Sequence, residues 1–200
     1  MKKIIGLLLM GILVSGCRDY EKIIGDAREH KKKVGKQVVD GEEEPPFPNE
    51  SENNKTLRGV DVNQNGIRDD VDVWINYVGK DRNHRMALRQ LTKKMQKIMD
   101  VGGGLSKESR DQVVKDVWDA KSCVFFFEKN KTSEEGAFMK VIRLLFNTNN
   151  RVNSYKSFHD RVLVYESNKK DGVSGKEHTL CEFEIENLHS VLEKNKKLGY

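Results

Sequence analysis

Apolar residues recur at helical spacing along most of the chain. Such stripes predict helices over 69–79, 82–101 and 186–197, and further stripes end at Phe127, Leu145 and Val162. No proline follows Leu57, which permits long helices. Near Phe183 the alternation is imperfect and predicts at most a short strand. We therefore expect a mainly α fold, a small helical bundle with at most a short C-terminal strand, preceded by a flexible linker.

The first 17 residues have the pattern of an export signal. Lys2 and Lys3 precede an apolar run from Ile4 to Val14, which is too short for a span of about 20 residues. The pattern predicts a signal peptide over residues 1–16 rather than a permanent transmembrane helix.

The residues Val14-Ser15-Gly16-Cys17 resemble the lipobox of bacterial lipoproteins. The resemblance implies that Cys17 receives a diacylglycerol, that the chain is cut before it, and that lipid on Cys17 holds the protein on a membrane of the cell envelope. Asp19 stands one place too late for the signal that retains such proteins at the inner membrane, which favours the outer membrane. The alternative is an ordinary signal peptide followed by a coincidental cysteine.

The segment after Cys17 is interpreted as a stalk. Residues 17–39 have partly helical spacing, which predicts a short helix near the membrane. Residues 40–56 (DGEEEPPFPNESENNKT) hold all three prolines and one large apolar side chain, Phe47. Such a composition does not offset the entropy of ordering, and predicts a disordered linker between the lipid and a helical domain over 57–200.

Residues 61–72 (DVNQNGIRDDVD) have the spacing of a calcium loop. Oxygen-bearing side chains stand at loop positions 1, 3, 5, 9 and 12, Gly66 stands at the turn, and position 7 offers a backbone carbonyl. Ca²⁺ takes six to eight oxygen ligands at about 2.3–2.6 Å. The predicted ligands are Asp61, Asn63, Asn65, Ile67, Asp69 and Asp72.

The loop resembles those of EF-hands, and more closely those of dockerin and thrombospondin type 3 repeats. It departs from the EF-hand at Asp72, where a glutamate is usual, and at Arg68, where paired loops carry an apolar residue. The resemblance implies a structural Ca²⁺ ion of modest affinity. The alternative is an Asx-rich turn whose acidic residues favour the positive start of a helix, without metal.

Cysteine use indicates one disulfide. With Cys17 assigned to lipid, Cys123 and Cys181 remain as a pair in an oxidising compartment. The bond would close a loop of about 58 residues, worth about 4 kcal/mol in the chain-entropy model. A zinc site and a catalytic thiol are the alternatives, but no CxxC spacing accompanies these cysteines.

Charge and motifs disfavour two functional classes. The formal net charge of +5 falls by two when Lys2 and Lys3 leave with the signal, and basic runs near the chain ends are interrupted by acidic stretches. This is a weak basis for nucleic-acid binding. The five histidines are scattered and no HExxH, GxSxG or GxGxxG motif occurs, so we expect no enzyme.

The region from Asp61 to Cys181 resembles a group of uncharacterised exported bacterial proteins. The shared features are the DxNxNGxRDD loop, an Asn-Thr-x-x-Arg segment (Asn147, Thr148 and Arg151) and a late Cys-x-Phe at Cys181. The resemblance implies one integrated domain. The expected function is an envelope lipoprotein that binds another protein, as an inhibitor, immunity factor or accessory. The alternatives are a lipid-anchored enzyme acting on envelope polymers and a purely structural tether.

Overall fold

A computed structural model describes residues 16–100, 107–128, 136–156, 158 and 175–197. The mainly α fold is confirmed. The helices are α1 (Gly16–Val34), α2 (Glu50–Asn53), α3 (Asp69–Val78), α4 (Arg82–Asp100), α5 (Lys107–Phe127), α6 (Ala137–Leu145), α7 (149–156), a 3₁₀ helix (Glu177–Leu180) and α8 (Leu188–Lys197). Strands β1 (Val38–Val39) and β2 (Glu42–Glu43) form an antiparallel hairpin. The predicted signal peptide, apart from Gly16, and the side chain of Cys17 lie outside the described part.

Helix α4 organises the core because its apolar residues form one continuous stripe. Leu88, Leu91, Met95 and Ile98 are at most 1% exposed, whereas Lys93 and Lys97 between them face solvent. Helices α3, α5 and α6 pack around α4. The helices predicted for this half of the chain are therefore present, and they share one hydrophobic core.

Helix α1 belongs to that core and is not a separate stalk. It runs for 19 residues and packs on α3 and α6, burying Tyr20, Ile24 and Ala27. The three buried residues stand one helical turn apart, so a single face of α1 is apolar. The domain therefore begins at α1.

The expectation of a disordered linker over 40–56 is wrong in this structure. The β1–β2 hairpin holds Asp40 at a turn, where its carboxylate receives hydrogen bonds from Arg85 and Arg89. Glu44 is 4% exposed and pairs with Lys31 at 2.7 Å. The amino-acid composition led to the wrong prediction because ion pairs and hydrogen bonds, rather than apolar burial, order the segment.

The C-terminal segment after the 3₁₀ helix contains bends and a turn but forms no strand among the described residues. Two amide side chains on α4 provide the backbone hydrogen bonds that a neighbouring strand would otherwise make. Gln90 donates to Leu180 O and accepts from Glu182 N, both at 2.9 Å, and Asn83 bonds Glu186 N and O in the same way, also at 2.9 Å. Because the two amides stand seven residues apart on α4, they lie on one helix face.

The predicted disulfide is present. Cys123 on α5 and Cys181 are joined, with their Cα atoms 5.1 Å apart. The bond holds the segment that Gln90 also binds, so the C-terminal region is attached to both α4 and α5.

Candidate metal loop and adjoining cavity

The first half of the loop 61–72 is folded around the carboxylate of Asp61. Its Oδ1 accepts from Asn65 N at 3.2 Å, and its Oδ2 accepts from Gly66 N at 2.9 Å. Gly66 has a φ of +82°, a conformation that side chains with a Cβ rarely adopt. A bond of 2.9 Å from Asp69 N to Val60 O closes the loop. Each Asp61 oxygen retains further accepting capacity.

The amide side chains of the loop turn toward the same region. Asn63 Oδ1 lies 3.3 Å from Asn65 N. Asn65 accepts from Ile67 N at 2.8 Å and donates through Nδ2 to Asp72 Oδ2 at 2.8 Å. The Ile67 side chain is fully buried in the core and fixes the backbone at the predicted carbonyl ligand.

Asp69 is a buried carboxylate that no cationic side chain within the described part of the chain contacts. Its side chain is 0% exposed and accepts one donor, Val62 N, at 3.1 and 3.2 Å. Burial raises the pKa of Asp69 to about 7, and repulsion from Asp61, Asp72 and Asp70 adds to the rise, against the opposing effect of the Val62 hydrogen bond. The site therefore holds negative charge that is costly without a cation.

Asp72, the twelfth position, is already engaged. Its Oδ1 accepts from Arg89 Nε at 3.2 Å, while its Oδ2 faces the Asn65 amide. Across the described residues, no group of three or more His, Cys, Asp or Glu side chains is arranged to hold a metal ion. A Ca²⁺ ion here would need amide and backbone oxygens as well, and Asn65 would have to turn its oxygen toward Asp72.

The residue set thus fits calcium in part. Asp61, Asn63 and Asp69 each present a side-chain oxygen with accepting capacity. Asn65 and Asp72 are bonded to each other and complete the set only after a change of side-chain orientation. A cation would relieve the repulsion on Asp69, which is the main physical argument for the ion.

A buried charge network lies directly behind the loop, and sequence analysis missed it. The Arg68 side chain is fully buried and forms two bonds with Asp70, at 2.6 and 3.0 Å. Asp70 also accepts from the Tyr20 hydroxyl of α1 at 2.6 Å. The Arg68 guanidinium reaches Leu144 O at 2.6 Å, at the C-terminal end of α6, where a cation is favourable.

A second buried arginine fixes the chain that enters the loop. Arg151 is 0% exposed, and its guanidinium donates mainly to backbone carbonyls of residues 53, 56 and 57. Burial and the neighbouring charge of Arg68 lower the pKa of Arg151 to about 10, so the group is still charged at neutral pH. The Asn-Thr-x-x-Arg segment gave the only sequence signal for this group.

A cavity of about 280 Å³ adjoins the loop at Asn65. It lies between the β1–β2 hairpin, α4 and the segment after Cys181, with Phe183 as an aromatic wall. Three cations and three carboxylates line it: Arg82, Arg89, Lys93, Asp40, Glu42 and Glu182. Burial alone would raise the pKa of Asp40, but hydrogen bonds from Arg85 and Arg89 outweigh it and hold that pKa below its usual range.

A buried histidine–carboxylate pair lies away from the residues that line the cavity. His84 Nε2 is 3.3 Å from Glu128 Oε1, and His84 Nδ1 accepts from Lys80 N at 3.3 Å. Glu128 also accepts from Ala137 N at 3.0 Å, so the pair links α4, the end of α5 and the start of α6.

No helix in the described part of the chain is long and apolar enough to cross a membrane. Comparison with protein-family models, with curated proteins and with solved structures found no match. The assignment of function therefore depends on the chemistry of this chain alone.

Proposed function

We propose that the protein is a lipid-anchored component of the bacterial cell envelope whose helical domain is stabilised by calcium and binds another protein. The observation that carries the calcium proposal is the buried carboxylate of Asp69, which faces Asp61 and Asp72 without a cation of its own among the described residues. Buried charges are normally paired or coordinate metals.

Lipid attachment is supported by the sequence before Cys17. The residues Val14-Ser15-Gly16-Cys17 follow a short apolar run, and Cys123 and Cys181 are consumed by the disulfide. Cys17 is then the single cysteine left for modification. We retain the outer membrane as the proposed location.

The cavity beside the loop supports the partner-binding part of the proposal. Two of its three carboxylates are engaged by cations, Asp40 by Arg85 and Arg89 and Glu182 by Lys94 at 2.6 Å. Ion-paired carboxylates suit polar recognition better than proton transfer, which disfavours the enzyme alternative. Because Asn65 belongs to both the loop and the cavity wall, an ion in the loop would set the shape of the binding surface.

The first experiment titrates Ca²⁺ into the soluble mature chain carrying Cys17→Ser, by calorimetry and by thermal melts with and without chelator. We expect a dissociation constant of about 10⁻⁴–10⁻³ M and a raised Tm. Asp69→Asn should abolish the shift and raise the Tm of the metal-free protein, because it removes an unpaired buried charge.

Asp26→Asn is the charge-matched control, since Asp26 is exposed on α1. It should leave both the calcium shift and the metal-free Tm unchanged. If Ca²⁺ gives no heat and no shift, and Asp69→Asn lowers the metal-free Tm, the loop is a helix-capping turn and the calcium proposal is wrong.

The anchor is tested in cells by labelling with a palmitate analogue and by membrane fractionation. The wild-type chain should carry the label and sediment with membranes, whereas Cys17→Ser should be unlabelled and not anchored. The same distribution for both chains would contradict lipid attachment at Cys17.

The partner is tested with a photocrosslinking residue placed at Lys93, which is exposed on the cavity wall. A crosslink to a single protein that weakens with chelator is expected. The control position is Lys196, exposed on α8. Equal crosslinking from both positions would argue against the cavity as the binding surface.

A further inference from the structure

The fold places the N-terminus of the mature chain directly against the domain. Helix α1 begins at Gly16, and Tyr20 is already 4% exposed. Tyr20 follows Cys17 by three positions along the helix, a rise of about 5 Å. Asp19 Oδ2 lies 3.8 Å from Arg143 Nε, so the start of α1 stands beside α6. A lipid on Cys17 would therefore hold this side of the domain close to the bilayer.

The outer side of α6 carries cations next to that point. Met139, Lys140 and Arg143 are partly exposed and stand on one helix face, while Val141, Leu144 and Leu145 are buried. Within the described part of the chain no carboxylate pairs with Lys140. Lys140 thus presents positive charge beside the start of α1, next to the Arg143–Asp19 pair.

Helix α5 extends this surface with aromatic residues. Trp118, Lys121 and Phe125 are spaced three and four residues apart and share a face, and Phe125 is 49% exposed. Lys121 Nζ lies 4.0 Å from the Trp118 ring centroid and 4.9 Å from that of Phe138 on α6, so the two helices adjoin at Lys121. We name Trp118, Lys121, Phe125, Phe138, Met139, Lys140 and Arg143 the α5–α6 face.

The chemistry of this face matches that of a bilayer interface. Tryptophan sits favourably at the level of lipid headgroups, and apolar side chains enter the acyl boundary beneath them. Lysine and arginine are attracted to anionic headgroups within about a Debye length. Asp119, the acidic residue next to Trp118, is neutralised by Lys115 at 2.6 Å.

We propose that the α5–α6 face lies on an anionic lipid bilayer, so that the domain rests on the membrane in one fixed orientation. The proposal rests on the lipid anchor at Cys17 proposed above. In this orientation the start of α1 lies at the bilayer. His30, whose ring is 5.3 Å from that of Tyr77, marks the other end of the helix, about 16 Å from Asp19 along the helix axis.

The test uses fluorescence of Trp118 in vesicles. The mature chain is coupled through Cys17 to a maleimide lipid, which makes the test independent of processing in the cell. Trp74 is replaced by Phe so that Trp118 is the single tryptophan. On phosphatidylglycerol vesicles we expect a blue shift and loss of Trp118 fluorescence with lipids brominated near the headgroup.

If Trp74→Phe does not fold, the chain with both tryptophans is compared with Trp118→Phe. Trp74 is 1% exposed in the core and should give the same unquenched emission in both. Charge reversal by Lys140→Glu with Arg143→Glu should restore the emission of Trp118. The matched control, Lys32→Glu with Lys33→Glu, reverses two exposed charges at the far end of α1 and should not.

The outcomes separate the orientation from the anchor. Anchored protein whose Trp118 is neither shifted nor quenched overturns the orientation, including the case in which a protein partner covers the face. Equal loss of quenching in both charge-reversed variants also overturns it. Absence of lipid on Cys17 in cells, with Trp118 quenched in the coupled protein, overturns the proposed anchor and leaves the affinity of the face for lipid intact.

Discussion

The guanidinium groups of Arg68 and Arg151 meet at one acceptor, the side-chain oxygen of Asn147, at 3.5 and 2.7 Å. Both arginines are fully buried, and among the residues that the structure describes only Arg68 has a carboxylate partner, Asp70. Two cations this close repel each other, so the oxygen between them and the carbonyls around Arg151 must hold them in place. The pair joins the chain before the loop, the loop itself and the end of α6.

Arg151→Met should destabilise the domain by about 3 kcal/mol or more, because it leaves several buried carbonyl and amide oxygens without a donor. Denaturant unfolding measures the loss. Arg58→Met is the control, since Arg58 pairs with Asp100 at the surface and such pairs contribute about 0–1 kcal/mol. Similar losses for the two variants would mean that the carbonyls around Arg151 are hydrated.

Ile24→Ala should lower the free energy of unfolding by about 2–5 kcal/mol, as expected for a fully buried isoleucine. Lys22→Ala, on the exposed side of α1, should change it by less than about 0.5 kcal/mol. Thermal and denaturant unfolding of the soluble mature chain provide the measurement. If Ile24→Ala has no larger effect than Lys22→Ala, α1 does not contribute to the core and is a detached stalk.

Replacing both Cys123 and Cys181 by serine should cost about 4 kcal/mol, because the disulfide closes a loop of 58 residues in the unfolded chain. Hydrogen exchange should rise at Glu182 and Glu186, whose amides bond to α4. Exchange in α3 serves as the internal control. Unchanged stability would indicate that the amide pairs of α4 alone hold the C-terminal segment.

Asp40 should make the domain sensitive to acid. Its pKa is lowered in the folded state, so its ion pairs contribute stability above the unfolded value of about 3.9, and that contribution is lost as the pH falls through the folded value. The stability difference between the wild-type chain and Asp40→Asn should be largest near neutral pH and shrink below about pH 4. Asp26→Asn, at an exposed position of α1, is the control. A difference for Asp40→Asn that does not change with pH would contradict the assignment.

Local periodicity was sufficient to predict the helices of the core. The stripe of α4 from Leu88 to Ile98 repeats every three to four residues, and its prediction needed no tertiary information. The disulfide followed from the number of cysteines. The helices depend on local sequence, and the disulfide could be predicted because only two cysteines remain besides Cys17.

Long-range polar contacts were outside the reach of the sequence. Asp40 is ordered by Arg85 and Arg89, 45 and 49 residues away, and no property of the hairpin itself indicates those partners. Arg68 stands in a loop where solvent exposure is the ordinary expectation, yet it is fully buried because Asp70 and the carbonyls of α6 satisfy it. In the candidate metal loop, the residue types were predicted but the diversion of Asp72 toward Arg89 was not.

The amide pairs of Gln90 and Asn83 recognise only the backbone of the C-terminal segment. Backbone recognition places few demands on the identity of the residues that are held. Glu182 pairs with Lys94, Glu184 is exposed, and Phe183 packs against Phe127 with ring centroids 6.3 Å apart. The exterior of this segment is therefore open to variation at Glu184, so new surface chemistry could be acquired there without any repacking of the helices beneath.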